Sequence, residues 1–216
     1  MNQSIKVDSV YLSFGKRQIL RGINLELVKN KVIGILGRNG SGKSCLLKII
    51  TGQLQADVKH IRYGDKVINN LYKEKGLINY LPQHEFHPKS IVLNNLLTLY
   101  GIDQDRFFVQ YPFLKARWKS KFSSMSGGDR RLVEVLLVME SNSAFSILDE
   151  PFTYLMPKFI DLVKGRIKEL KSKKGIVLTD HQYRNVLDIS DRSFIISEGI
   201  IREIKASEDL KIYGYI

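Results

Sequence analysis

Residues 37–44 are Gly37-Arg38-Asn39-Gly40-Ser41-Gly42-Lys43-Ser44, a glycine-rich run that ends in adjacent lysine and serine residues. The run follows the apolar stretch 32–36 and precedes the apolar stretch 46–50, which is the order strand, loop, helix. Glycines let backbone N–H groups turn toward a triphosphate, Lys43 can reach the β- and γ-phosphates, and the Ser44 hydroxyl can ligate Mg²⁺. The pattern predicts a nucleotide-binding P-loop. The alternative is a glycine-rich turn without a ligand, which this context disfavours.

The length and composition fit one folded unit. A chain of 216 residues with 44% hydrophobic and 26% charged residues can bury one core, with a smaller lobe attached, and it shows no repeat or low-complexity tract. The start, Met1 to Lys6, does not resemble a secretory signal, and no apolar run is long enough to span a bilayer. We therefore expect a cytoplasmic protein. Cys45 is the only cysteine, so no intramolecular disulfide is possible, and we assign it no redox role.

The net charge of +12 suggests an anionic partner, either nucleic acid or a membrane surface. Basic residues concentrate in two groups, which are Lys115, Arg117, Lys119, Lys121, Arg130 and Arg131, and then Lys158, Lys164, Arg166, Lys168, Lys171, Lys173 and Lys174. The second group alternates with apolar residues at helical spacing, so a solvated outer face of an amphipathic helix explains it better than a ligand.

The hydrophobic patterns predict an α/β fold. Short strands are expected before residue 30, in a hairpin over 61–68 and over 76–81, and helices over 90–100 and 127–140. Strands and helices then alternate, with strands over 145–148, 175–179 and 193–197 and helices over 157–172 and 182–188. This alternation predicts a mostly parallel sheet with helices packed on it, preceded by an antiparallel β layer. Loops at the carboxyl ends of such strands meet at one edge, where ligands bind.

Two further motifs carry chemistry. The strand 145–148 ends in Asp149 and Glu150, which suits a Mg²⁺ ligand and a group that polarises water, although a strand followed by Asp-Glu can equally be a solvated loop. Between this strand and the P-loop, Ser126-Gly127-Gly128 opens a helix, where free N–H groups form an anion site. The simpler alternative is an ordinary N-cap at Ser126.

With these three motifs in this order, the chain resembles the nucleotide-binding domain of ABC ATPases, and Met125 to Asp129 matches the signature loop written L-S-G-G-Q. The resemblance covers nearly the whole chain. Its motif surroundings are most similar to the lipopolysaccharide-export and branched-chain amino-acid branch. It implies a P-loop NTPase (RecA-like) core over 1–82 and 141–216 and a small helical subdomain over 83–140, within a single domain.

The resemblance also assigns roles to single residues. Gln83 in Leu81-Pro82-Gln83 matches the Q-loop glutamine that meets the metal and water, and His181 matches the switch histidine that contacts the γ-phosphate. Without the motif order His181 would pass for an ordinary loop residue. Glu150, His181 and Gln83 are then expected to be catalytic, and Ser44, Gln83 and Asp149 to hold Mg²⁺. The residues expected to contact ATP are Phe14, Gly37, Asn39, Gly40, Ser41, Gly42, Lys43, Ser44, Cys45, Ser126, Gly127 and Gly128, with Phe14 stacked on adenine. By contrast, His84 and His87 lack the spacing of a helical zinc site.

The chain departs from the family pattern at two positions. Met156 stands where the family has the D-loop aspartate that bridges two subunits, and Asp129 stands where the signature ends in glutamine. Because the catalytic motifs remain, we expect ATP hydrolysis. The change at Met156 puts the coupling between two sites in doubt, and the change at Asp129 is expected to weaken contact with the opposite nucleotide.

Three functions remain open. In the family, ATP lies between the P-loop of one subunit and the signature loop of another, so a chain with one copy of each is expected to dimerise, with itself or with a different ATPase subunit. The leading hypothesis is the ATPase subunit of a transporter, peripheral to the membrane and bound to separate transmembrane permease subunits. A soluble ABC ATPase acting on nucleic acid is favoured only by the charge, because the chain has neither a second cassette nor inserted coiled coils or zinc modules. A degenerate regulatory partner in a heterodimer is motivated by Met156.

Overall fold

The computed structural model describes residues 4–215. Met1 to Gln3, which begin the segment considered above as a possible signal, and Ile216 lie outside the described residues. Over the described chain, no helix is both long and apolar enough to cross a membrane.

The N-terminal strands form the expected antiparallel layer, a four-stranded sheet with the order β2-β1-β4-β5. Its strands are β1 (Ser4–Phe14), β2 (Arg17–Val28), β4 (Val58–Tyr63) and β5 (Lys66–Val67). The register pairs Ile5 with Leu27 and Val7 with Ile61, which places these apolar side chains on the buried face. Alternating burial along β1 and β2 is the pattern of a sheet with one face on the core.

The second sheet has six strands in the order β10-β9-β3-β8-β7-β6. Its strands are β3 (Val32–Leu36), β6 (Ile78–Leu81), β7 (Phe145–Asp149), β8 (Gly175–Thr179), β9 (Arg192–Ser197) and β10 (Ile200–Ile204). All neighbours are parallel except β9 and β10, and β3, β7 and β8 are buried along their whole length. The prediction of a mostly parallel sheet is confirmed. Since β3, β6, β7 and β8 run the same way, the segments that follow them emerge at one edge.

Seven α-helices complete the described fold: α1 (Lys43–Thr51), α2 (Leu93–Leu99), α3 (Gln104–Gln110), α4 (Gly127–Glu140), α5 (Pro157–Leu170), α6 (Tyr183–Ile189) and α7 (Asp209–Ile212). Three short 3₁₀ helices lie at Leu71–Lys73, Pro112–Arg117 and Phe122–Ser124. Helix α1 packs between the two sheets through its buried leucines and isoleucines, while α4, α5 and α6 belong to the core on the other face of the parallel sheet. Between residues 83 and 140 the described elements are helical, apart from an isolated bridge between Val92 and Lys121.

The structure shifts several expected boundaries. Helix α2 begins at Leu93 rather than at residue 90, because the Leu93 and Asn94 amides donate to the carbonyls of Ser120 and Trp118. Helix α3 was not predicted; it is capped by Asp103, whose carboxylate accepts from the Arg106 amide. Strand β10 was also not predicted, and it pairs with β9 across the turn at Glu198 and Gly199.

The basic group on α5 lies on the helix face opposite its buried apolar residues, and Lys164, Lys168 and Lys171 pair with Asp188 or Asp191. Lys174 is an exception to the predicted solvated face, because only 5% of it is exposed. Its ammonium donates to the carbonyls of Met139 (2.9 Å) and Ser141 (2.7 Å), at the end of α4. Burial lowers the pKa of Lys174 to about 8. This lysine therefore closes a helix end instead of solvating a surface.

Candidate nucleotide site

The P-loop connects β3 to α1 through three glycines with positive φ. Gly37, Gly40 and Gly42 have φ values of 153°, 75° and 101°. A Cβ atom on Gly37 would lie 2.7 Å from the carbonyl oxygen of Ile196, and one on Gly42 would lie 2.7 Å from Leu20 Cδ2. Backbone conformation and space both require glycine here. The loop leads into the first turn of α1, whose N–H groups have no partner within the helix and favour an anion.

Lys43 curls back into this loop. Its Nζ donates to the carbonyl oxygens of Gly37 at 2.6 Å and Arg38 at 3.3 Å, and the residue is only 6% exposed. Burial lowers the pKa of Lys43, and the carboxylates of Glu150, Asp149 and Asp180 oppose that effect. The ammonium is therefore held by loop carbonyls and surrounding negative charge, a neutralisation that phosphate oxygens could take over.

Asp149, at the end of β7, accepts hydrogen bonds from three hydroxyl groups. Its Oδ1 accepts from Thr179 at 2.8 Å and from Ser44 at 3.1 Å, and its Oδ2 accepts from Tyr80 at 3.2 Å. The carboxylate is fully buried. Carboxylate and hydroxyl oxygens are the ligands that Mg²⁺ prefers, so Asp149 and Ser44 fit the predicted metal. No group of three or more His, Cys, Asp or Glu residues suited to a metal occurs in residues 4–215, so this chain would hold Mg²⁺ through few protein ligands and the phosphates of a nucleotide.

Glu150 follows Asp149 with a backbone that non-glycine residues rarely adopt, at φ 53°. Its Oε1 lies 2.7 Å from Nε2 of His181, and its Oε2 accepts from the Thr153 hydroxyl at 3.3 Å. Only 4% of Glu150 is exposed, whereas 42% of the His181 side chain is. The histidine therefore covers the carboxylate on the side open to solvent.

The next residue, Asp180, holds the turn after β8. Its two carboxylate oxygens accept from the amides of Phe152 and Gln182, each at 2.9 Å. Burial raises the pKa of Asp180, while these two backbone hydrogen bonds oppose the rise. The carboxylate thus ties the segment after Glu150 to the segment that carries His181.

Most of the predicted ATP and catalytic residues line one cavity of about 440 Å³. Its walls are Phe14, Arg17, Ile19, Asn39, Gly40, Ser41, Gly42, Lys43, Ser44, Cys45, Gln83, Glu150 and His181. Phe14 is 55% exposed at its edge, as a ring that is to stack on a base must be. Gly37 and Asp149 are buried and do not line the cavity, although Asp149 is joined to it through Ser44.

The signature loop does not line that cavity. Gly127 and Gly128 line a second cavity, of about 520 Å³, together with His84, Glu85, Arg131, Tyr154 and Gln83, the residue that both cavities share. The Ser126 hydroxyl accepts from the Asp129 amide at 3.1 Å, so Ser126 is an N-cap of α4. The N-cap alternative is thereby confirmed, and it leaves the first N–H groups of α4 as the anion site that the loop could offer.

The two departures from the family pattern both have a structural setting. The Asp129 carboxylate accepts from Arg117 Nη1 at 2.8 Å, which ties the signature helix to the basic 3₁₀ segment before it. Met156 is the residue before α5 and is 51% exposed, without a side-chain cap hydrogen bond to the helix. Neither side chain lines the cavity that contains the P-loop.

The sequence reasoning missed two residues that touch the site. Tyr80 is 2% exposed and reaches Asp149 from β6, and Arg131, also 2% exposed, reaches the backbone at the end of β7 from α4. A signal was available for Arg131, because an arginine and a glutamate at i and i+3 (Glu134) inside the apolar pattern of α4 indicate a buried ion pair. Tyr80 gave no such signal, since an aromatic residue in a strand is ordinary core composition.

His87 is placed away from any metal site. Its Nδ1 lies 3.1 Å from Glu134 Oε1, its Nε2 lies 3.1 Å from the Tyr100 hydroxyl, and its ring packs edge-on against Phe122. His84 lines the second cavity instead. The two histidines therefore serve different surroundings.

A P-loop after β3, paired carboxylates after β7 and a parallel sheet that joins them define the class of P-loop nucleotidases. The ABC transporter family profile matches residues 20–153. A probable ABC transporter ATP-binding protein of Azorhizobium caulinodans is 30% identical over 92% of this chain and 78% of its own length. The lipopolysaccharide export system ATP-binding protein LptB of Acidithiobacillus ferridurans is 27% identical over 92% and 88%. A solved nucleotide-free ATP-binding cassette from an ABC transporter superposes with a TM-score of 0.78 at 25% identity, over 100% of this chain and 96% of that one.

The chain belongs to the ABC transporter family, as an ATP-binding subunit. It is an ATPase, in a family that couples ATP hydrolysis to transport. The sequence-based expectations of family, fold class and ATP as ligand are confirmed.

Proposed function

We propose that this chain works as a dimer that encloses ATP between the P-loop of one subunit and the signature loop of the other, and so drives transport by separate membrane subunits. The observation that carries the proposal is the division of the predicted residues between two cavities. The P-loop, Glu150 and His181 share one, while Gly127 and Gly128 line the other. A single subunit thus offers two half-sites, and a second subunit would complete each of them.

ATP binding would replace contacts that the chain makes with itself. Lys43 would leave the carbonyls of Gly37 and Arg38 for phosphate oxygens, because an ion pair with a phosphate is the stronger interaction. Phe14 would stack on the adenine at the open edge of the cavity, and the N–H groups at the start of α1 would donate to the phosphates. The cavity volume of about 440 Å³ suits a ligand of this size.

Hydrolysis would depend on Glu150, Gln83 and His181. Glu150 would accept a hydrogen bond from the attacking water, Gln83 would orient that water, and His181 would donate to the γ-phosphate after leaving Glu150 Oε1. Ser44 and Asp149 would hold Mg²⁺, with Gln83 beside it, and the metal would neutralise charge that develops on the phosphates. Site residues and subdomain bounds stay predictions.

The partners we propose are transmembrane permease subunits, with the chain peripheral on the cytoplasmic face of the membrane. The LptB relatives carry export-system names, and this chain covers 88% of the length of one of them, which supports a transporter role. The branch does not identify the cargo, because substrate contacts belong to the membrane subunits.

Nucleic acid remains the second candidate, and the exposed basic segment of Lys115, Arg117, Lys119 and Lys121 favours it. Arg117 is already paired with Asp129, which reduces the charge available to phosphates. Retention of RNA that falls steeply with rising salt would support nucleic acid, whereas co-purification with a membrane protein would support the transporter.

Glu150→Gln tests the sandwich. The substitution removes the group that polarises water but keeps the side-chain shape, so we expect an ATP-bound dimer to accumulate and hydrolysis to fall by more than about tenfold. Size-exclusion chromatography with light scattering at saturating ATP measures the dimer, and phosphate release measures hydrolysis. Glu85→Gln is a matched control, because its exposed carboxylate pairs with Arg130 outside the ATP cavity. A Glu150→Gln chain that binds ATP and stays monomeric would contradict the sandwich for a homodimer.

A regulatory partner in a heterodimer predicts a different result. If Met156 has removed the activity of this subunit, the purified wild-type chain will bind ATP and release no more phosphate than Glu150→Gln does. Hydrolysis by the wild-type chain alone would exclude that role.

A further inference from the structure

Arg131 is a buried guanidinium that joins three segments of the ATP site. It lies on α4, one turn after the signature glycines, and is 2% exposed. Its Nη2 donates to the carbonyl oxygens of Asp149 (2.8 Å) and Glu150 (2.9 Å), and its Nη1 donates to the carbonyl of Pro82 (2.8 Å). One side chain therefore holds the backbone at both predicted carboxylates and beside Gln83.

The backbone that Arg131 holds is strained. Glu150 has φ 53°, a left-handed conformation that costs a non-glycine residue on the order of 1 kcal/mol. Such a conformation persists only when the surroundings stabilise it. The Glu150 amide donates to the Thr179 carbonyl at 2.9 Å, so the peptide units on both sides of Glu150 are fixed, one by β8 and one by Arg131.

Glu134 links Arg131 to the chain after Gln83. Its Oε1 accepts from the amides of Phe86 and His87 and lies 3.1 Å from His87 Nδ1, while its Oε2 lies 3.7 Å from Arg131 Nη1. Glu134 is fully buried. The pair thus places a fixed charge on each side of the segment 82–87, and that segment carries Gln83.

We propose that Arg131 is a positioning residue for hydrolysis, which holds the Glu150 backbone in its left-handed conformation and thereby aims the Glu150 carboxylate into the ATP cavity. The inference rests on the proposed role of Glu150. It does not depend on the dimer, since every contact described lies within one chain. Lysine cannot replace Arg131, because one ammonium on a flexible stem cannot occupy the positions of two guanidinium nitrogens that serve three carbonyls.

Arg131→Lys, with Arg166→Lys as a matched control, tests the proposal. Arg166 is another largely buried arginine with a bidentate carboxylate partner, Glu140, and lies on α5 away from the ATP cavity. We expect Arg131→Lys to lower kcat roughly 10- to 100-fold, as small misplacements of a reacting group do, with the Kd of a fluorescent ATP analogue within about threefold of wild type. Arg166→Lys is expected to leave kcat within about twofold, because it touches no residue of the cavity.

A second measurement does not require activity. Amide hydrogen exchange of the nucleotide-free chain should be faster at Glu150 and Phe152 in Arg131→Lys than in Arg166→Lys. The proposal would be overturned by unchanged exchange at these amides, by an unchanged kcat, or by parallel loss of kcat and ATP affinity. If the wild-type chain proves inactive, the proposed function fails while the exchange result still decides the role of Arg131.

Arg131→Gln combined with Glu134→Gln covers the risk of misfolding. Removing both charges leaves no unpaired ion in the core, so this variant is expected to fold. It should show the same loss of kcat with retained ATP affinity. Failure of both Arg131 variants to fold would overturn the proposal, because the arginine would then be needed for the core as a whole.

Discussion

Asp149 illustrates how single side chains prepare this site. Three hydroxyl groups, from Ser44, Thr179 and Tyr80, fix both of its carboxylate oxygens in a buried position. Ser44 is the donor that would turn to a bound metal, so Thr179 and Tyr80 would then hold the carboxylate. Burial and the Asp149 charge raise the pKa of Tyr80, so its hydroxyl keeps the proton that it donates.

Tyr80→Phe should weaken Mg²⁺ binding without unfolding the chain. The change removes one hydrogen bond to a carboxylate and keeps the packed ring, a loss of about 1–2 kcal/mol, or roughly 5- to 30-fold in apparent Mg²⁺ affinity. The measurement is a Mg²⁺ titration of the chain with a fluorescent ATP analogue.

Tyr111→Phe is the matched control for that titration. Tyr111 is also buried and donates to a carboxylate, Glu140, but it does not line the ATP cavity. Equal Mg²⁺ titrations for the two variants would show that the Tyr80 hydroxyl has no role toward the metal.

At the scale of elements, each motif lies where a strand ends or a helix begins. The segments after β3, β6, β7 and β8 supply the P-loop, Gln83, Glu150 and His181. Helix α5 begins less favourably, because Met156 occupies its N-cap position and provides no side-chain acceptor. The family aspartate missing at this position would have capped the helix as well as carried charge.

Met156→Asp should stabilise the nucleotide-free chain by about 0.5–1 kcal/mol, because an N-cap carboxylate accepts a backbone hydrogen bond and favours the positive helix end. Thermal unfolding by circular dichroism measures this. Met156→Ser separates capping from charge, and Met156→Ala gives the baseline. The idea fails if neither Ser nor Asp is more stable than Ala.

At the scale of the whole molecule, two hydrophobic clusters surround the parallel sheet, one shared with the N-terminal layer and α1, the other with α4, α5 and α6. The nucleotide cavity draws residues from the β1–β2 hairpin, the P-loop and the loops after β6, β7 and β8. A bound nucleotide would therefore join parts of the fold that unfold separately or together. Ligand binding to the native state alone raises its stability by mass action.

Saturating Mg-ATP should raise the melting temperature of the wild-type chain and not that of Lys43→Ala. At a concentration of about 100 times Kd the gain in the free energy of unfolding is about 2.7 kcal/mol. Differential scanning fluorimetry over a nucleotide series measures it. A Lys43→Ala chain with the wild-type shift would mean that Lys43 is not needed for binding.

The sequence by itself determined the family, the mostly parallel sheet and the membership of the ATP cavity. These features depend on short-range patterns: glycines and Lys43 within one turn, or two carboxylates at the end of one apolar strand. Residues such as Gln83 and His181 were found because the motif order placed them at strand ends that a parallel sheet brings to one edge.

Only the tertiary structure decided which side chains hold these motifs. Tyr80 and Asp149 are 69 residues apart, and Arg131 reaches carbonyls 18 and 19 residues away, so their contacts depend on strand register and on the rotation of α4. Register and helix rotation are set by packing of the whole core, and local composition does not encode them. The same packing buried Lys174 and placed the signature loop at a different cavity from the P-loop, which no spacing along the chain could indicate.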